Sequence, residues 1–315
     1  LELEVGRLIA EMLGYDPKRC WAHICSGGTI AHLEALWVAR MVQFIPFIVR
    51  DYCIENKHDF KIKLADNKEE LVTEASERHL IALKPNESIF MLRKLASFLQ
   101  RERKREAKET LKELNDFFKN NRFNPTKSGI HSILSLVSLK PVIFVTSTAH
   151  YSVKKAANVL GYGEQVVRLV PIDNRFRMDI KALRDMILAL HDDEYIAAVI
   201  GIVGTTEEGA VDPIHEIRFL RDEMSKERNR SFWLHVDAAW GGYIRTLFCG
   251  LKLKRVEAHR DLDSICDDYI HALDISERFL IESNFPSKWA RNVNIRWGEK
   301  DVYKAFLALP DADSI

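Results

Sequence analysis

The chain has 315 residues, of which 47% are hydrophobic and 29% are charged, a balance typical of a folded globular protein and not of a disordered one. Lys plus Arg and Asp plus Glu both number 46, so the overall charge gives no support for binding to nucleic acid or to an anionic membrane surface. The length allows one large domain or two ordinary ones.

The first predicted elements are two helices separated by a glycine-rich turn. Apolar residues recur at helical spacing over residues 1–13, and Gly14 follows where a helix C-cap belongs. The segment Ser26-Gly27-Gly28-Thr29 precedes a second apolar helical face that includes Ala31 and Ala35. This pattern predicts a loop that leads directly into a helix N-terminus.

From about residue 44 to residue 138 the pattern changes to long polar helices. Charges of both signs alternate at helical spacing over residues 101–113, which indicates solvated helix faces and not a nucleic-acid surface. We interpret residues 44–138 as a helical insertion into one large domain that covers residues 1–315. A second insertion is predicted at about residues 250–300.

After Pro141, short apolar strands alternate with helices. Strands are predicted at residues 142–145, 165–170, 195–203 and 232–236, with helices that begin near His150, Asp179 and Pro213. Such alternation predicts a mostly parallel sheet with helices on both faces, an α/β fold. Ligands of such sheets bind at the carboxyl ends of the strands.

Two motifs at this edge suit ligand groups of opposite charge. The backbone N–H groups and helix N-terminus of Ser26-Gly27-Gly28-Thr29 suit a phosphate group, although a glycine-rich helix start without a ligand is equally compatible. It lacks the Gly-Lys-Ser/Thr of a nucleoside-triphosphate loop. In Leu234–Gly242, the apolar strand ends in Asp237, which either caps a turn or pairs with a cationic ring nitrogen.

Two further motifs follow other predicted strands. His150 opens a helix, where it either stacks on a ring and helps to deliver a proton or has a structural role. Thr206 lies in the polar turn of residues 204–213, which either presents a hydroxyl to a ligand or serves as a turn alone.

Together, in this order and spacing, these four motifs resemble the pyridoxal-phosphate-dependent (group II) amino-acid decarboxylases, which share the fold of aspartate aminotransferase. The resemblance covers roughly residues 1–40 and 141–242 and resumes at the end of the sequence. It implies that Gly28 and Thr29 contact the cofactor phosphate. It also implies that Asp237 pairs with the pyridine nitrogen and that His150 stacks on the ring, which makes these two the catalytic residues.

The same resemblance implies roles for two more residues and exposes some departures. Thr206 is expected near the ring, and Ala239 is expected on the ring face opposite to the stacked histidine. Cys25, Ala22 and His32 stand where relatives tend to have Thr, Gly and Asn. No metal ligand is implied.

The last residues, Ala312-Asp313-Ser314-Ile315, resemble the start of the A-D-S-x-x-x-D-x-H-K motif of these enzymes. By that resemblance the lysine that anchors the cofactor is expected about six residues beyond Ile315. We therefore expect the sequence to be a large-domain fragment that is inactive alone.

Residues 297–315 resemble the long bacterial members of the family, which include tyrosine decarboxylases, so an aromatic amino acid is the expected substrate. Glutamate or aspartate is the alternative. Carbon–sulfur and carbon–carbon lyases share the glycine loop and the Asp-Ala-Ala strand end, but the 204–213 turn favours a decarboxylase. A non-catalytic relative that binds partners through residues 44–138 is a second alternative.

The sequence also carries signals for localisation and assembly. The sequence has five cysteines, Cys20, Cys25, Cys53, Cys249 and Cys266. None has paired CxxC spacing, which predicts reduced thiols, as in the cytoplasm, and no zinc cluster. We find no basic-then-apolar leader and no uninterrupted apolar run of membrane-spanning length, so no membrane association is expected. The resemblance implies a homodimer.

Overall fold

A computed structural model describes residues 1–103, 106–248 and 300–315 of the chain. Nearly all of the predicted second insertion, at about residues 250–300, lies outside these described residues. The prediction about it therefore stays a prediction.

Four of the described strands form a parallel sheet in the order β4-β3-β5-β6. The strands are β3 (Lys140–Thr146), β4 (Val167–Val170), β5 (Glu194–Ile202) and β6 (Trp233–Asp237). A separate antiparallel pair is formed by β1 (Lys61–Lys63) and β2 (Glu69–Leu71). The parallel sheet confirms the α/β fold that the alternating pattern predicts.

Helices connect the parallel strands. They are α8 (Ser152–Val159), α9 (Ile180–Leu188) and α10 (Ile214–Arg228). The start of α9 is fixed by Asp179, whose side chain accepts hydrogen bonds from the backbone N–H groups of Lys181 and Ala182. The three helices begin close to where the sequence predicts them.

Both faces of the sheet are buried, because alternate residues of one strand enter two different hydrophobic clusters. In β3, Ile143 and Val145 belong to one cluster, whereas Val142 and Phe144 belong to the other. Successive side chains of a strand point to opposite faces. The sheet is therefore covered on both sides, as expected for parallel strands.

The helices α1 (Glu2–Leu13) and α2 (Gly28–Asn56) precede the sheet. Gly14 ends α1 in the left-handed conformation at φ 88°, which confirms the predicted C-cap. By length and composition α2 could cross a membrane, but 56% of its apolar window is buried inside the protein, and a core helix passes the same test.

Residue 44, where the sequence suggests that an insertion begins, lies inside α2. Phe44, Phe47 and Ile48 are buried in the same cluster as Ile143 and Val145 of the sheet. This boundary is a correction to the sequence reading, because these apolar side chains extend one helix face past residue 44. That the remaining elements up to residue 138 form an insertion stays a prediction.

Those remaining elements pack on the same side of the sheet as α2, since Leu80, Leu95 and Ile133 enter the cluster that contains Ile143. Besides β1 and β2 they are α3 (Glu77–Ile81), α4 (Pro85–Arg103), α5 (Ala107–Asn120), α6 (Pro125–Ser128) and α7 (Ile130–Val137).

The last described segment lies along the edge of β6. It consists of α11 (Lys300–Leu307), a short 3-10 helix at Leu309–Asp311 and an extended end. The backbone N–H of Asp313 donates to Leu234 O at 2.8 Å, and the N–H of Val236 donates to Ser314 O at 2.9 Å. The Ala312-Asp313-Ser314 motif thereby extends the sheet beyond β6.

Candidate active site

The four sequence motifs converge on the carboxyl edge of the parallel sheet. Asp237 is the last residue of β6, while His150 and Thr206 follow the ends of β3 and β5. The glycine loop reaches this edge through α2, whose residue His32 contacts Asp237. Parallel α/β sheets bind ligands at this edge.

Two glycines hold the loops after β5 and β6 against each other. The N–H of Gly241 donates to Val203 O at 2.9 Å, and the N–H of Val203 donates to Asp237 O at 2.8 Å. Gly204 has φ 88°, and a Cβ there would lie 2.8 Å from the backbone nitrogen of Gly241. Two backbone segments can approach this closely only where the residues are glycines. Gly204 and Gly241 therefore fix the loops after β5 and β6 beside Asp237.

We expect Gly241→Ala to lower the free energy of unfolding by about 1–3 kcal/mol, because its Cβ would collide with the carbonyl group of Val203. Gly28→Ala is the matched control, since a Cβ at Gly28 meets no atom within 4 Å. Urea unfolding of both variants measures the difference. Equal stability of the two variants would contradict the close approach.

The Asp237 carboxylate is held at both oxygens. Oδ1 accepts a hydrogen bond from the Ala239 N–H at 3.1 Å, and Oδ2 lies 3.2 Å from His32 Nε2. Burial acts to raise the pKa of this carboxyl, but the hydrogen bonds from His32 and from the Ala239 N–H hold the pKa below its ordinary value. Asp237 is therefore an oriented anion whose side chain is 16% exposed.

His32 links Asp237 to the glycine loop. It is buried at 2% exposure in the beginning of α2, about four residues and about 6 Å along the helix axis from Gly28. The helix that begins at the glycine loop thus also carries the side chain that contacts the carboxylate. The sequence reading noted His32 only as a departure from relatives, and that substitution is the signal that could have marked it.

The glycine loop presents backbone N–H groups that have no acceptor among the described residues. Gly27 precedes α2 at φ 116° without a side-chain cap, and the N–H groups of Ile30 and Ala31 both donate to Gly27 O. The N–H groups of Gly28 and Thr29 come before the first hydrogen bonds of the helix. A Cβ at Gly27 or at Gly28 would meet no atom within 4 Å, so the space beside them is open. These donors, with the positive end of the helix, suit a phosphate.

His235 lies beneath the site, fully inside the protein. Its Nδ1 is 2.9 Å from Ser314 Oγ, and its Nε2 is 3.2 Å from His32 Nδ1. Burial is the main cause that lowers the pKa of His235, to about 3. The imidazole is therefore neutral at neutral pH.

This lowered pKa predicts a pH dependence of stability. An unfolded chain protonates His235 near its ordinary pKa, whereas the folded protein does so only near pH 3, so the stabilisation is present above about pH 6.5 and lost as the pH falls toward 3. Between those limits the wild type should lose up to about 1.4 kcal/mol per pH unit more than His235→Gln. Chemical unfolding at several pH values measures both slopes, and identical slopes would contradict the prediction.

The other predicted site residues lie at the rim. Ala239 is exposed beside Asp237, and Thr206 is exposed in the turn after β5. His150 is also exposed; its Nδ1 is 2.8 Å from Ser152 Oγ and its ring centroid is 4.2 Å from that of Tyr151. Among the hydrogen bonds of the described residues, none joins His150 or Thr206 to Asp237, so their roles stay predictions.

The residues at this edge fit pyridoxal phosphate. Asp237 would supply an anion for a protonated pyridine nitrogen, and Gly28 with Thr29 would supply donors for the phosphate. The fit rests on a carboxylate and a set of N–H donors that are linked through α2, since this helix begins at Gly28 and its His32 contacts Asp237.

The chain is similar to several known proteins. The model of the family described as pyridoxal-dependent decarboxylase conserved domain matches residues 120–267. An L-tyrosine decarboxylase of Levilactobacillus brevis is 31% identical over 322 residues, which cover 100% of this chain and 41% of that protein. An L-tyrosine decarboxylase of Enterococcus faecalis is 32% identical over 270 residues, which cover 85% of this chain and 37% of that protein.

The chain thus spans about two-fifths of the length of these two relatives. Among solved structures, that of mouse CSAD is 21% identical, with a TM-score of 0.44, and the alignment covers 78% of this chain and 33% of that one.

Proposed function

We propose that this chain belongs to the family of pyridoxal-dependent (group II) decarboxylases and that the protein converts an L-amino acid into its amine and carbon dioxide. The observation that carries the proposal is the ionised Asp237, which is fixed by Ala239 and by His32 of the helix that begins at the glycine loop. The cofactor of the family is pyridoxal 5'-phosphate.

Bound pyridoxal phosphate supplies an electron sink for the electron pair that remains when carbon dioxide leaves. In the proposal Asp237 holds the proton on the pyridine nitrogen, which keeps the ring cationic. Gly28 and Thr29 bind the phosphate and fix the distance of the ring from Asp237. His150 stacks on one face of the ring and assists proton delivery to the product.

Two residues complete the proposed ring pocket. Ala239 packs against the face opposite His150, where its small side chain lets a flat ring lie close to the backbone. Thr206 presents its hydroxyl near the ring from the turn after β5. Both residues are exposed at the rim, where a bound ring can reach them.

We propose an aromatic amino acid such as tyrosine as the substrate. Support comes from the two tyrosine decarboxylases that align with 85% or more of this chain. Aspartate or glutamate is the alternative, since a probable L-tyrosine/L-aspartate decarboxylase of Methanoculleus marisnigri is 37% identical over 123 residues.

We further propose that the enzyme acts as a homodimer in the cytoplasm, without membrane or nucleic-acid partners. The balanced charge of 46 basic and 46 acidic residues supports the absence of a nucleic-acid partner. The free thiols of Cys20, Cys25 and Cys53 support a reducing compartment.

The experiment is a carbon dioxide release assay of the complete protein loaded with pyridoxal phosphate, against tyrosine, phenylalanine, glutamate and aspartate. The proposal predicts release from tyrosine with the highest kcat/KM. Release from an acidic amino acid alone would overturn the substrate. Cofactor binding without release from any amino acid would overturn the decarboxylase and favour another lyase or a non-catalytic relative.

A further inference from the structure

A continuous chain of hydrogen bonds runs through the buried floor of the site. Trp233 Nε1 donates to Ser314 Oγ at 2.8 Å, and Ser314 Oγ lies 2.9 Å from His235 Nδ1. His235 Nε2 lies 3.2 Å from His32 Nδ1, and His32 Nε2 lies 3.2 Å from Asp237 Oδ2. The chain thus joins the end of the described sequence to the carboxylate.

The chemistry of its two ends fixes the direction of the chain. An ionised carboxylate only accepts hydrogen bonds, so His32 Nε2 must carry a proton and donate to Asp237. A neutral His32 then has a bare Nδ1, which accepts from a protonated His235 Nε2. His235 Nδ1 is then bare and accepts from the Ser314 hydroxyl, whose oxygen accepts from the indole N–H of Trp233.

The opposite arrangement fits less well. If His32 were a cation, both its nitrogens would donate, and His235 would have to donate from Nδ1 to Ser314 Oγ. Ser314 Oγ would then accept two hydrogen bonds, from His235 and from Trp233. The hydroxyl proton of Ser314 could no longer be donated to His235. A cationic His32 would also place a second positive charge beside the carboxylate that is proposed to bind a pyridinium.

The rings are held in the orientation that this direction needs. His32 and His235 are each 2% exposed, and their planes meet at 85° with centroids 5.2 Å apart. Ser314 is fixed because the neighbouring Asp313 pairs with Arg221 at 2.7 Å. Water has little access to either imidazole, so the protein itself determines which nitrogens carry protons.

We propose that His32 is a positioning residue that, neutral and protonated on Nε2, orients the ionised Asp237 toward the pyridine nitrogen, with His235 and Ser314 fixing its tautomer. The inference deepens the proposed function and rests on it for the identity of the pyridine. The arrangement of protons itself belongs to the protein without cofactor.

The test is nitrogen NMR of the cofactor-free complete protein with 15N-labelled histidine. Spectra of His32→Phe and His235→Gln assign the two rings, and protonated and bare ring nitrogens resonate far apart. We expect both rings to be neutral and protonated on Nε2 at neutral pH. A cationic His32, or an Nδ1 proton on either ring, would overturn the proposal.

A second readout follows Asp237 itself by carbon NMR of its carboxyl group during a pH titration, again without cofactor. His32→Phe fills the buried space but removes the donor, so the Asp237 pKa is expected to rise, because burial then acts with less opposition. His32→Gln keeps a donor at similar reach and is expected to restore the low pKa. An unchanged pKa in a folded His32→Phe variant would overturn the role of His32.

In the loaded enzyme, His32→Phe should lower kcat by about 10–100-fold, as is typical when a partner that orients a functional group is lost. His32→Gln should recover most of this loss, and a His32→Gln enzyme as slow as His32→Phe would count against a positioning role. If no amino acid is decarboxylated at all, the proposed function fails, while the two NMR measurements still decide the proton arrangement.

Discussion

Replacing Asp237 with alanine is expected to lower kcat of the loaded complete protein by about 10³-fold or more. The physical reason is the loss of the anion that keeps the pyridine nitrogen protonated, without which the ring is a poor electron sink. Asp237→Asn preserves the shape and an acceptor for His32 but not the charge. It should be almost as slow, and the initial rate of carbon dioxide release measures both.

The fold should tolerate these changes. The Asp237 side chain is 16% exposed, so water can replace part of the hydrogen bonding to His32 and Ala239. Asp192→Ala removes a fully solvated carboxylate, 91% exposed, and serves as the control that should keep full activity and stability. Normal turnover by either Asp237 variant would refute the role of the carboxylate.

Replacing Arg221 with alanine is expected to lower the free energy of unfolding by about 3–5 kcal/mol, because it leaves a buried carboxylate without its cation. Arg221 Nη1 donates to Asp313 Oδ2 at 2.7 Å, and the two side chains are 14% and 12% exposed. The same Oδ2 accepts the N–H of Leu234 at 2.8 Å, so the pair fastens the last segment along β6.

Arg184→Ala is the matched control. Its partner Glu223 and Arg184 itself are 36% and 46% exposed, and solvent-exposed pairs contribute about 0–1 kcal/mol. Denaturant unfolding of both variants provides the comparison. If Arg221→Ala were no less stable than Arg184→Ala, the buried pair would not be what holds Ser314 beside His235.

The parallel sheet could be predicted from the sequence because its signals are local. Apolar runs such as residues 195–203, each followed by a helix start such as Asp179 or Pro213, determine strand and helix without knowledge of the rest of the fold. Even the edge that binds the ligand follows from the parallel arrangement. The position of Asp237 at this edge is a consequence of the same pattern.

The contacts that complete the site are not local, and the sequence reading missed them. His32 meets Asp237 only because α2 docks beside β6, and Ser314 meets His235 only because the last segment pairs with that strand. Residues distant in sequence have no spacing signal. The start of the insertion was predicted too early, at about residue 44, for a related reason, since the burial of Phe44 and Phe47 against the sheet is not a local signal.

The central claim is that Asp237 and the loop of residues 26–29 bind opposite ends of one pyridoxal phosphate molecule. A crystal structure of the complete protein soaked with the cofactor tests it most directly. We predict that the pyridine nitrogen lies at hydrogen-bond distance, about 2.7–3.2 Å, from a carboxylate oxygen of Asp237, with the phosphate on the N–H groups of Gly28 and Thr29. A phosphate bound elsewhere, or a ring nitrogen that faces away from Asp237, would contradict the account.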